Sequence, residues 1–167
     1  MNIVTEDVVA QMLPGAKRST IHDMYPLMID ALAERGVADL DMALYAFATI
    51  NPETSAALPI AEIGGSKARY APYYGRGYVQ LTWFDNYKKA GKALGLDLVN
   101  NPDLAMEPRN AARIMAWFLT SEGREERLRK AFANNDIAAM RKVVNGGTNG
   151  INKFSTSWNI GNKLTGR

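Results

Sequence analysis

Tyr73-Tyr74-Gly75-Arg76-Gly77-Tyr78-Val79-Gln80-Leu81-Thr82-Trp83-Phe84-Asp85-Asn86-Tyr87 is the stretch around which the rest of the chain reads as scaffold. Two glycines flank Arg76, and glycine permits positive φ and close approach of the backbone to another group. Tyr78 to Leu81 sets Gln80 against apolar neighbours, the alternation of a short strand. Thr82 is a good N-cap for a helix carrying Trp83, Tyr87, Ala90 and Leu94. A bend, a strand with a polar side chain and a capped helix suit a binding or catalytic surface. An aromatic-rich core segment is the plainer reading of the same residues.

Upstream, Leu58 to Tyr74 is broken by Pro59, Gly64-Gly65 and Pro72. Ile60 to Ile63 and Lys67 to Tyr70 read as two short strands of a hairpin turning at the glycine pair. Before this lobe, Asp39 caps a helix from Leu40 to about Ile50 that is apolar nearly all round, the mark of a buried helix. Asn51-Pro52 ends it, because the residue before proline disfavours the α region. Thr5 caps a first helix stopped by Pro14-Gly15, and a second runs from Ser19 or Thr20 to Gly36 with Pro26 as a kink or restart. Downstream, Gly95 closes the helix begun at Thr82, and Pro108 fits the first position of a helix reaching about Ser121. Glu122 to Ala133 reads as a charged, solvated helix. Asn135 or Asp136 caps Ile137 to Val144, which stops at Asn145-Gly146-Gly147, and a last helix covers Ile151 to Leu164. The pattern is that of a mainly α-helical protein with a small irregular β-hairpin lobe, one domain over residues 1–167.

Composition narrows the chemistry. The 167 residues carry a formal net charge of +3, no cysteine and one histidine. Thiolate chemistry, disulfides and cysteine-based zinc sites are excluded, and His22 alone argues against a histidine metal site or a Ser–His triad. No cofactor is expected. The mild positive charge suits loose attraction to an anionic polymer such as a bacterial wall but does not argue nucleic-acid binding. No apolar run approaches the roughly 20 residues of a bilayer helix, so membrane insertion is not expected. Acids stand at the N-terminus where a secretory signal carries bases, so the chain is expected to be made without a signal peptide and kept at first in the cytosol. A monomer is expected.

Most of the seventeen acidic residues have ordinary explanations. Asp39, Glu107 and Asp136 lie at or near helix starts, where negative charge is favoured. Glu122, Glu125 and Glu126 belong to a charged face. Glu53, just past a buried helix, and Glu62, between Ala61 and Ile63 in the broken lobe, do not fit such explanations.

Tyr73, Tyr74, Gly75, Arg76, Gly77, Gln80, Leu81, Thr82, Asn86 and Tyr87 together resemble the signature of glycoside hydrolase family 19, the chitinases and phage endolysins. The resemblance runs from about Leu44 to Trp158. It implies a lysozyme-like α-helical fold with the hairpin lobe beside a cleft, and cleavage of β-1,4-linked N-acetylated aminosugars with inversion. Glycosidic cleavage commonly needs one carboxyl to protonate the leaving oxygen and another to activate water. Family spacing makes Glu53 the general acid, its carboxyl kept protonated by apolar walls, and Glu62, nine residues on, the ionised base. Thr82 would help Glu62 hold the attacking water, and the two carboxyls should lie roughly 6.5–9.5 Å apart. Gln80, Asn86 and Asn145 match sugar-binding positions. Tyr74 either stacks on a sugar or packs in the loop, and Arg76 steadies the loop. Pro52 and Lys153 depart from the family pattern, Lys153 falling near an expected arginine, a difference that matters at a bidentate site.

Lacking cysteines and a signal, the chain looks like a compact endolysin acting on peptidoglycan after release to the cell wall. A chitinase on N-acetylglucosamine polymers is the alternative. An inactive wall- or sugar-binding domain and a lytic transglycosylase are the rivals.

Overall fold

The computed structural model describes residues 4–53 and 57–167, the side chain of Glu53 lying outside that description. The elements in chain order are α1 (Glu6–Met12), α2 (Arg18–Glu34), α3 (Leu40–Glu53), β1 (Ile60–Ala61), β2 (Arg76–Gly77), α4 (Phe84–Leu94), α5 (Pro108–Thr120), α6 (Arg124–Ala133), α7 (Ile137–Asn145) and α8 (Ile151–Leu164). The mainly α expectation holds, with one two-stranded antiparallel sheet. Among the described residues no helix is long and apolar enough to cross a membrane.

α3 is the axis of the core. Met42 to Ile50 are all buried, so every face of this helix meets protein, as its sequence requires. α8 lies along it. Gly161 lets α8 approach Leu44 of α3 and Met12 of α1, and Asn51 Nδ2 donates to Ser157 Oγ at 2.8 Å. Ser157 in turn donates to the Met12 carbonyl, so one buried hydroxyl ties three helices. α5 packs against α2 and α4 and buries Ala112, Met115, Ala116 and Leu119, all essentially inaccessible.

Several boundaries follow local chemistry. Thr5 Oγ1 accepts the Val8 N–H, Asp39 caps α3 through Met42 N–H, and Asp136 caps α7 through Ala139 N–H. Gly95 closes α4 in the left-handed conformation and Pro108 opens α5. Gly91 is a close-approach position on α4: a Cβ there would come 2.6 Å from the Leu96 carbonyl oxygen, which cannot swing away as a side chain would. Gly91→Ala is expected to cost about 1–2 kcal/mol net of improved helix propensity. Calorimetry should read this as a fall in Tm of about 5 °C; an unchanged or raised Tm contradicts the packing argument.

Five local expectations are corrected. α3 runs through Asn51-Pro52 and ends at Glu53, because a proline in the last turn forfeits only one bond of a ladder that is already ending. α2 begins at Arg18 and continues through Pro26 with no restart there. The partner of β1 is not Lys67–Tyr70, which follows a 3-10 turn at Gly65–Lys67, but Arg76–Gly77, with Ile60 opposite Gly77 and Ala61 opposite Arg76. Tyr78–Gln80 is a turn, not a strand, with only Leu81 pairing back as an antiparallel bridge to Arg76, and Thr82 does not cap α4. Trp83 occupies that cap with φ 75°, and no side chain completes it.

Candidate active site

The lobe is pinned to the helices by Arg76. Its side chain is 3% exposed, and its guanidinium donates to the Pro72 and Tyr74 carbonyls, the Tyr87 hydroxyl and Asp103. The same guanidinium lies 3.8 Å from the Tyr74 ring centroid, a cation–π contact. Gly65 backs that ring so closely that a Cβ would meet it at 2.5 Å. Tyr74 is thus held by packing, which favours the loop role left open for it over a sugar-stacking face. Arg76 has the structural role expected of it.

Glu62 follows β1, and its backbone N–H donates to the Gly75 carbonyl at 2.7 Å. Its carboxylate Oε1 accepts from the Tyr70 hydroxyl at 2.6 Å and Oε2 accepts from Gly75 N–H at 3.0 Å. These donors, Tyr70 first and Gly75 second, hold the Glu62 carboxyl below the usual range, and it remains partly exposed. Each oxygen keeps lone-pair capacity for a water. Tyr70 in turn packs its ring 4.7 Å from that of Trp83, which is 45% exposed and has Arg69 over its face. Tyr70 had no signal in the sequence; only the fold brings it to Glu62.

Beside Trp83 opens a groove of about 190 Å³, lined among others by Gln80, Thr82, Trp83, Asn86, Phe118 and Val144. Three of the expected residues, Gln80, Thr82 and Asn86, therefore share one surface. Gln80 has φ 53°, and its amide nitrogen donates to the Ile60 and Gly77 carbonyls. Those bonds spend its donors on the loop and leave its oxygen, against Gly75, as the free polar atom. The Thr82 hydroxyl donates to the Gln80 carbonyl, and Asn86 Nδ2 to the Thr82 carbonyl. Both keep acceptor capacity toward the groove.

Glu122 also lines this groove, where a solvated helix face was expected. It precedes α6 with φ 53°; Lys89 holds one carboxylate oxygen and Arg124 the other, and these contacts, Lys89's hydrogen bond first, lower its pKa. Both of its oxygens are thus engaged by neighbouring cations. Asn145 is exposed at the end of α7, next to groove-lining Val144.

α3 ends at Glu53. The Glu53 side chain, Thr54, Ser55 and the expected carboxyl separation lie outside the described residues. Its surroundings are described. Arg141, 3% exposed, donates from Nε to the Asn149 carbonyl at 2.7 Å. A Cβ on Gly150, at φ 72°, would come within 3.4 Å of its Nη2 and 2.7 Å of Pro52 Cβ. Arg141 is thus the buried cation beside the residue preceding Glu53, and the sequence reading missed it. Lys153, expected near an arginine site, is exposed on the first turn of α8, where its carbonyl accepts from Asn51 Nδ2.

The family model for class I chitinases, glycoside hydrolase family 19, matches residues 45–134. Chitinase 11 of Oryza sativa subsp. japonica is 62% identical over 48 residues, covering 28% of this chain and 19% of that protein. An endochitinase of Arabidopsis thaliana is 31% identical over 140 residues, covering 75% of this chain and 50% of its own length. The chain thus spans about half or less of these two relatives. Among solved structures, chitinase C from Streptomyces griseus is similar with a TM-score of 0.65 at 23% identity, over 98% of this chain and 76% of that one. At that identity the likeness shows the fold.

Proposed function

Because the chain belongs to glycoside hydrolase family 19, we propose that it hydrolyses β-1,4 bonds between N-acetylated aminosugars by an inverting acid/base mechanism. The observation that carries this reading is the placement of Glu62. It is a carboxylate fixed by Tyr70 and Gly75, and Tyr70 packs on Trp83, which lines the groove that gathers Gln80, Thr82 and Asn86. In the mechanism Glu53 protonates the leaving oxygen and Glu62 takes a proton from water, with Thr82 accepting a hydrogen bond from that water. The half-exposed Trp83 ring supplies a face for a sugar to stack on. Asn86 and Asn145 offer amides to hydroxyl and acetamido groups.

The chitinases among the relatives favour an N-acetylglucosamine polymer over the peptidoglycan expected from the sequence. Incubation with chitin hexasaccharide should yield shorter, reducing oligosaccharides. A folded protein that cleaves neither this nor peptidoglycan would leave the sugar-binding alternative standing.

Glu62 must be ionised to act as base, so activity is present above its pKa and lost as pH falls through it. The Tyr70 hydroxyl, the larger of the two lowering influences, extends activity toward acid. Tyr70→Phe should therefore move the acid limb of kcat/KM to higher pH and leave the basic limb in place. An unmoved acid limb would contradict Glu62 as the titrating base.

A further inference from the structure

A second cavity, about 410 Å³, opens between α6 and α7. It falls within the rough range of 300–1,000 Å³ typical of small-molecule sites. Helical spacing builds it. Arg127, Lys130 and Ala131 share one face of α6; Ala139, Lys142 and Val143 share one face of α7. The result is a lining of small apolar side chains among three cations. The acid in the lining, Asp136, already accepts the Ala139 N–H through Oδ1 as the cap of α7. Arg127 donates to the Glu122 carbonyl, but among the described residues neither the Lys130 nor the Lys142 ammonium has a hydrogen-bond or ion-pair partner. Like charges gathered around one apolar-lined cavity repel, and an anion with a small hydrocarbon body would offset them.

The linings of the cavity and the groove share no residue, but both draw on α6 and its preceding turn and on α7. Val143 lines one and Val144 the other; Arg124 lines the groove, and Arg127, one turn along α6, lines the cavity. A sugar chain held in the groove would need an anionic branch to reach these cations. We propose that this cavity is a carboxylate-binding site for short acidic peptide branches carried on an aminosugar polymer. The proposal rests on the groove holding the sugar chain. It would let the protein act on a peptide-bearing glycan, such as peptidoglycan, in addition to the uncharged N-acetylglucosamine polymer.

The test uses the whole protein and a triple variant, Arg127→Gln, Lys130→Gln and Lys142→Gln, whose side chains are exposed and play no part in the groove chemistry. Amide chemical shifts are followed while a soluble tetrapeptide with two carboxylates is titrated at low salt. Shifts should localise to α6 and α7, weaken with added salt, and bind about tenfold more weakly in the variant or with the fully amidated peptide. Shifts elsewhere, equal binding by the variant, or equal binding of inorganic phosphate would overturn the proposal. A second readout compares rates. The variant should cleave chitin hexasaccharide like the wild type while clearing peptidoglycan sacculi about tenfold more slowly. Equal clearing, or equal loss on both polymers, would also overturn it. If the wild type cleaves neither polymer, the hydrolase reading fails, and the peptide titration still decides the cavity.

Discussion

Glu62→Gln is expected to lower kcat/KM on chitin hexasaccharide by roughly a thousandfold, the scale of removing a positioned acid or base. The substitution keeps the shape of the side chain and removes its charge and basicity. Because Glu62 is partly exposed and its two contacts are local, the change in stability should stay within about 1 kcal/mol. Glu53→Gln should cost as much in rate on the natural substrate but differ on an activated one. A nitrophenyl leaving group departs without a proton, so the Glu53 variant should recover most of its rate there, while the Glu62 variant, still lacking a base for water, should not. Recovery by the Glu62 variant instead, or loss of less than about tenfold in either, would reverse or remove these roles.

The largest expected effect on stability falls on Arg76. Arg76→Met strips donors from the Pro72 and Tyr74 carbonyls and the buried Tyr87 hydroxyl at once, and takes the cation from the Tyr74 ring. The Tyr87 hydroxyl still donates to the Tyr74 carbonyl, so the cost is mainly that of lost hydrogen bonds to a charged group, about 1.5–3 kcal/mol each before relaxation, and a loss of about 3 kcal/mol in all is expected. Asp103, its charged partner, is 79% exposed. Asp103→Asn should therefore cost under about 1 kcal/mol, as exposed pairs do. Urea denaturation of the two variants decides it. Equal effects would mean that Arg76 works through its ion pair and not as a clamp on the loop. A folded Arg76→Met protein should also lose activity, since β2 and the Glu62–Gly75 contacts hang from the same loop.

The helical frame was legible because its signals are local. An all-round apolar run makes α3 a buried helix, and Thr5, Asp39 and Asp136 cap helices through contacts three residues away. What escaped the sequence depends on distant partners. Tyr78–Leu81 alternates like a strand, yet Gln80 turns left-handed because its side chain ties the Ile60 and Gly77 carbonyls together. Over four residues that periodicity cannot be told from chance. Thr82 has the chemistry of a cap, but its hydroxyl finds the Gln80 carbonyl first. The partner of β1 sits beyond the irregular lobe, where no turn signal points to it. Glu62 stood out as an acid without a scaffold explanation, whereas Tyr70, which holds Glu62, and Arg141, buried near Pro52 at the end of α3, follow from tertiary packing alone.

The most direct test is the anomeric form of the first product released from chitin hexasaccharide, followed by proton NMR before mutarotation. Attack of a Glu62-activated water opposite the bond that Glu53 protonates predicts the α-anomer from this β-linked substrate. A β-anomer, or an anhydro sugar formed without water, would contradict the account.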